Sequence, residues 1–128
     1  MNEYIDKRDD GWDIFSGLLA DLSNEAKVSD VEQYGGKCFV VIDRLISTVL
    51  NIYNRPVFDA IIAWDESNRD VESNTIDRYL ERKKALKIVT TSPFLVGHKE
   101  DQHSTIWGFQ NTQYADMIAE SSNLLNQK

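Results

Sequence analysis

A chain of 128 residues, 41% apolar and 27% charged, is long enough to bury a core of its own, which excludes a scaffold that needs disulfides or a structural metal to fold. Its one cysteine, Cys38, excludes an internal disulfide and points to a reducing compartment, with the cytoplasm the expected location. A net charge of −7 disfavours direct binding to a nucleic-acid backbone, and no apolar run approaches the ~18 residues of a membrane span.

One globular domain, 1–128, is expected, because no repeat, low-complexity tract or Pro/Gly/Ser-rich linker divides the chain. The opening residues, Met1 to Asp10, are polar and acidic, the opposite of a signal or transit peptide. A first helix is predicted from about Asp10 to Lys27, where Trp12, Phe15, Leu18, Leu19, Leu22 and Ala26 recur at spacings of three and four. Asp9, Asp10 and Asp13 would complement the dipole at its N-terminal end. Ser29-Asp30-Val31-Glu32 has the form of a capping box, opening a short turn that Gly35-Gly36 ends.

A second helix is predicted from Lys37 to Tyr53, lined by Phe39, Ile42, Ile46, Val49 and Tyr53. The β-branched Val40, Val41 and Ile42 leave a strand open for its first five or six residues. Asn54-Arg55-Pro56 breaks this run, and Pro56 suits the first turn of a third helix reaching Glu66, with Val57, Ile61 and Trp64 on one face and Phe58, Ala60 and Ile62 beside them. A polar surface loop, Asp65 to Ser73, precedes a fourth helix from Thr75 to Lys87 capped by Asn74. Residues 88–110 read as β-prone, and a hairpin joining Phe94–Val96 to Thr105–Phe109 is expected. A last helix spans about Thr112 to Leu125. The expected fold is therefore mainly α, a compact bundle of about five helices with a small β-hairpin near 94–109. An α+β fold with an additional strand near 37–42 is the alternative.

Few residue patterns carry chemistry. His98, Glu100, Asp101 and His103 fall within six residues and hold metal-ligand side chains, yet their spacing matches no established signature, so no metal and no cofactor is expected. Asp9, Asp10 and Asp13, or Asp65 and Glu66, could share a magnesium ion only if they faced inward, whereas helix ends and solvated faces explain them. No nucleophile elbow or glycine-rich phosphate cradle occurs, and no catalytic residue is assigned. Arg78, Arg82, Lys83, Lys84 and Lys87 form a basic cluster that fits a helix C-terminal end.

Charge distribution then carries the functional expectation. Residues 1–36 hold nine acids against three bases. The leading expectation is an acidic protein-binding domain, an inhibitor or immunity-type protein docking onto a basic partner such as a nuclease toxin or nucleic-acid-handling enzyme. Asp9, Asp10, Asp13, Trp12, Asp30 and Glu32 are its expected contacts, with tryptophan the anchor and the carboxylates steering association. Two other classes stand beside it: a small metal-dependent hydrolase, and a structural module whose helix 37–53 is covered by a second copy.

Overall fold

The structure is a computed structural model that describes residues 2–8, 11–45, 48–70, 72–83, 86–99 and 112–128. In chain order it contains helix α1 (Asn2–Arg8), strands β1 (Ile14–Ser16), β2 (Val28–Tyr34), β3 (Lys37–Ile42) and β4 (Asn51–Tyr53), a 3-10 turn (Arg55–Val57), helices α2 (Phe58–Ile62) and α3 (Ile76–Glu81), strand β5 (Ile88–Ser92) and helix α4 (Thr112–Gln127). The strands form one mixed sheet in the order β2-β3-β5-β1-β4, in which only β1 and β5 run parallel. This α+β arrangement overturns the expected helical bundle.

Two-sided burial explains the misreading of the N-terminal third. Residues 14–19 are buried without interruption, whereas an amphipathic helix would turn some of them to water. Ile14 enters the core on one face of the sheet and Phe15 the core on the other, with helical spacing arising by coincidence. The second predicted helix is likewise divided. Its β-branched start becomes β3, the stretch for which a strand stood as the alternative, and its end becomes β4. A fully buried strand and a buried helix share the same apolar run, so periodicity alone does not separate them.

The proposed capping box at Ser29–Glu32 lies inside β2, where Asp30 stands opposite Val41 and Glu32 opposite Phe39. Gly35 and Gly36 join β2 to β3 in a two-residue turn with φ of +56° and +76°. That left-handed pair is the turn whose twist matches an antiparallel hairpin, and glycine adopts it without a Cβ clash. Asn74 does not cap a helix as expected: Thr75 holds the cap position of a shorter α3. Phe94–Val96 form no strand, and the amides of Leu95 and Val96 donate to the Gly17 carbonyl at 3.0 and 3.3 Å. The other half of that expected hairpin, Thr105–Phe109, lies outside the described residues.

The sheet has a thick side and a thin side. On the thick side, Val57, Leu80 and Leu125 come down from the 3-10 turn, α3 and α4 onto Ile14, Val40, Ile42 and Ile88. On the thin side, α1 lays Tyr4 over Phe39 with ring centroids 3.6 Å apart, beside Trp12, Phe15, Val41 and Val89. Among the described residues, no helix is long and apolar enough to cross a membrane.

Candidate functional site: the two ends of the sheet

Of the six residues expected to form an acidic contact face, four, Trp12, Asp13, Asp30 and Glu32, are engaged within the molecule. Trp12 is buried in the thin-side core. Asp13 clamps two strands: its carboxylate accepts from the Lys87 amide at 2.7 Å, its own amide donates to the Lys87 carbonyl at 2.8 Å, and its carbonyl accepts from Asn54 at 2.8 Å. Asp30 and Glu32 project from β2 toward α1, where Arg8 ion-pairs with Asp30 and approaches Glu32 at 3.5 Å. Asp9 and Asp10 lie outside the described residues.

Of the candidate metal ligands His98, Glu100, Asp101 and His103, only His98 is among the described residues. It is half-buried with its ring 5.3 Å from that of Tyr114. Among the described residues, no group of three or more His, Cys, Asp or Glu side chains is placed to hold a metal ion. Within the basic cluster, Arg78 pairs with Glu81 at 3.5 Å and the Lys83 ammonium lies 4.3 Å from the centre of the Tyr79 ring, while Lys84 lies outside the described residues.

A different surface emerges at the β4 end. Seven large apolar side chains are exposed among the described residues, and five of them, Val49, Leu50, Ile52, Phe58 and Ile62, come from one stretch of fourteen. Phe58 and Ile62 stand four apart on α2, so they share one face of that helix, with Ile62 80% exposed. The buried partners of the same segment, Val57 and the half-buried Ala60 and Ile61, occupy the core side. Ile52 pairs with Phe15 and so faces the thin side of the sheet, whereas α2 packs on the thick side, which leaves Phe58 and Ile62 as the exposed apolar pair that stands together. Such a pair beside a polar surround marks a contact surface, whereas single exposed side chains need no explanation.

The segment that follows supplies the polar surround, and it is strongly acidic. Residues 59–77 carry Asp59, Asp65, Glu66, Asp70, Glu72 and Asp77 against Arg69 alone. The described residues of the loop are tied to one another by their own side chains. Asn74 is buried and donates to the carbonyls of Asp65 at 2.7 Å and Asn68 at 2.9 Å, while the Trp64 indole N–H donates to the Asn74 carbonyl at 3.0 Å. The Ser67 hydroxyl and amide hold the Asp65 carboxyl below the usual carboxylate range. The Ser73 hydroxyl, followed by the Glu72 amide, does the same for Asp70. Both carboxylates are therefore firmly charged at neutral pH. A hollow of about 610 Å³ beside this loop is bordered by Trp64, Asn68, Asn74 and Ile76.

The opposite end of the sheet presents backbone instead. β2 is an edge strand of seven residues, and five consecutive ones, Ser29 to Gln33, are exposed. Its pairing with β3 is regular from Asp30 to Tyr34, after an irregularity at Ser29. On its thick-sheet side a groove of about 340 Å³ runs between the strand and the end of α4, lined by the apolar Val28, Val31, Cys38, Val40 and Leu125 and by the polar Ser92, Asn126 and Lys128.

Part of this was visible beforehand. The charge of residues 59–77 stands in the sequence as plainly as that of residues 1–36, and each stretch holds carboxylates with partners inside the molecule: Asp13, Asp30 and Glu32 in the one, Asp65 and Asp70 in the other. The exposure of Phe58 and Ile62 had no sequence signal, since a five-residue helix hides too few side chains to define a stripe. No family model matches the chain, and neither a curated protein nor a solved structure matches it. The inhibitor and immunity-type expectation accordingly gains no support from relatives.

Proposed function

We propose that this chain is a protein-binding domain that docks onto a basic partner through the β4–α2 surface and the acidic loop behind it. The observation that carries this reading is the exposed Phe58–Ile62 pair on one face of α2, beside a segment, 59–77, that carries six carboxylates and one arginine. Apolar side chains supply the contact energy: burying Phe58 or Ile62 against a partner contributes roughly 1–3 kcal/mol each. The carboxylates supply long-range attraction, which speeds encounter with a positive surface and weakens as salt rises. A loop tied together by its own side chains adds to this, since less conformational freedom is lost when it is engaged. The single thiol suits a reducing space such as the cytoplasm.

The test is capture of partners at low and high salt by the wild-type chain and by two double variants, Phe58→Ser/Ile62→Ser and Glu66→Lys/Glu72→Lys. A basic protein held at low salt by the wild type, and lost by both variants, supports the reading. Equal retention by wild type and variants would place the contact elsewhere. Retention of nothing basic would remove the proposal.

A further inference from the structure

We infer that the free edge of β2 is a second docking site, separate from the β4–α2 surface, and that it accepts an extended peptide segment alternating basic and aliphatic side chains. Among the described residues, nothing pairs with the outer edge of β2. An edge strand presents a row of main-chain donors and acceptors, and an added strand satisfies them while fixing which side chains face which way.

The two faces of β2 specify the alternation. Asp30 and Glu32 lie on the α1 side with side chains 53% and 48% exposed, and Arg8 neutralises one of their two charges. A strand laid beside β2 would set residues of one parity next to these carboxylates, where lysine or arginine is favoured. Residues of the other parity fall beside Val31, itself 56% exposed, over the groove floored by Val40 and Leu125. An aliphatic side chain there covers apolar surface that now meets water.

The same residues select against a second copy of this chain. Two β2 strands paired about a two-fold axis at Val31 would set Asp30 of each opposite Glu32 of the other, twice over. Like charges directly opposed across a strand pair are destabilising. The edge is therefore guarded against itself and open to a strand of opposite charge.

The probe is a fluorescently labelled heptapeptide alternating lysine and isoleucine, compared with a peptide of identical composition whose lysines form one block. The alternating peptide should bind at least about tenfold more tightly, and the outward-facing amides among residues 30–34, those not directed at β3, should gain protection from hydrogen exchange. Val31→Thr keeps the shape and the β-branch, so the fold stays intact; it should weaken binding about fivefold with an unchanged unfolding midpoint. Methylating alternate peptide nitrogens on the pairing edge should abolish binding. Equal affinity for both peptides would overturn the proposal, as nonspecific charge attraction would then suffice. Protection of the outward-facing amides of 30–34, those not directed at β3, already present in the free monomer would overturn it too, because the edge would be covered within the chain. Protection that appears only with dimerisation in the ultracentrifuge would assign the edge to a second copy instead. The Phe58→Ser/Ile62→Ser variant should bind the alternating peptide as the wild type does, whatever its effect on the other surface. Loss of peptide binding there would place the peptide on that surface and overturn this proposal.

Discussion

The sheet ends in two edge strands that are finished in opposite ways. β4 has three residues, after which Asn54 turns the chain by accepting from the Arg55 amide and donating to the Trp12 carbonyl, and Pro56 forbids further pairing. β2 has seven residues and no proline, and its only guards are an irregularity at Ser29 and the charges of Asp30 and Glu32. A short strand broken by proline cannot recruit a neighbour, so the β4 end offers side chains to a partner. A longer strand guarded only by charge offers main-chain hydrogen bonds, but to partners of one sign. The lesson is that one sheet can carry two recognition chemistries if its edges are closed by different means.

The comparison is most severely broken by Phe39→Ala. Phe39 is fully buried under Tyr4, and its removal should cost about 3–5 kcal/mol, read as a lowered urea midpoint. Ile62→Ala at the other end should change stability by less than about 0.5 kcal/mol, since the side chain is exposed. Equal losses at the two positions would refute the assignment of one to the core and the other to the surface.

Asn74→Ala comes next. It removes two buried hydrogen bonds that knit the acidic loop and should cost about 2 kcal/mol, with a shift in Trp64 fluorescence. Gly36→Val should cost about 1–2 kcal/mol by forcing a β-branched residue to positive φ, and should weaken the β2 end without touching the β4 end. Exchange protection measured along both edges distinguishes the two outcomes.

The smallest effect is in pH. Asp65 and Asp70 have carboxyl pKa values depressed in the folded chain by the hydroxyl and amide donors that hold them. Their contribution is thus complete above the unfolded carboxylate pKa of about 4 and is lost as pH falls through the lower folded values. Carboxyl NMR titration should place both midpoints below that of an ordinary aspartate, and residues 65–75 should lose exchange protection in acid while the sheet persists. Midpoints at the ordinary value would show that the loop is not held by these bonds.

How much of this was legible in the sequence follows from burial. The last helix, the helical turn after Pro56 and the surface loop after Trp64 are local, one-sided elements, and the structure places helix or loop in each. The sheet centre was legible only in part: the β-branched Ile88-Val89-Thr90-Thr91 reads as β-prone and is β5, whereas Ile14-Phe15-Ser16, buried on both faces, loses the alternation that marks a strand. β2 was obscured for the opposite reason: exposed on both faces, its Val-Ser-Asp-Val-Glu-Gln-Tyr shows neither an apolar run nor a polar one. At the candidate site the acidic composition could be read, but which carboxylates are consumed by Arg8, by the Lys87 amide or by Ser67 depends on distant contacts.

The pairing of β1 with β5 has a consequence for how the chain acquires this form. The Asp13 carboxylate and the Lys87 amide that pin this junction are 74 residues apart, and β1 takes its other neighbour, β4, from well downstream as well. The hairpin β2–β3, closed by two glycines, can form early from local contacts, but the middle of the sheet waits on a large loop closure. High contact order of this kind belongs to slow folders, in the millisecond-to-second range. It also makes the domain indivisible, because a cut anywhere between β4 and β5 takes from β1 the strand that buries it.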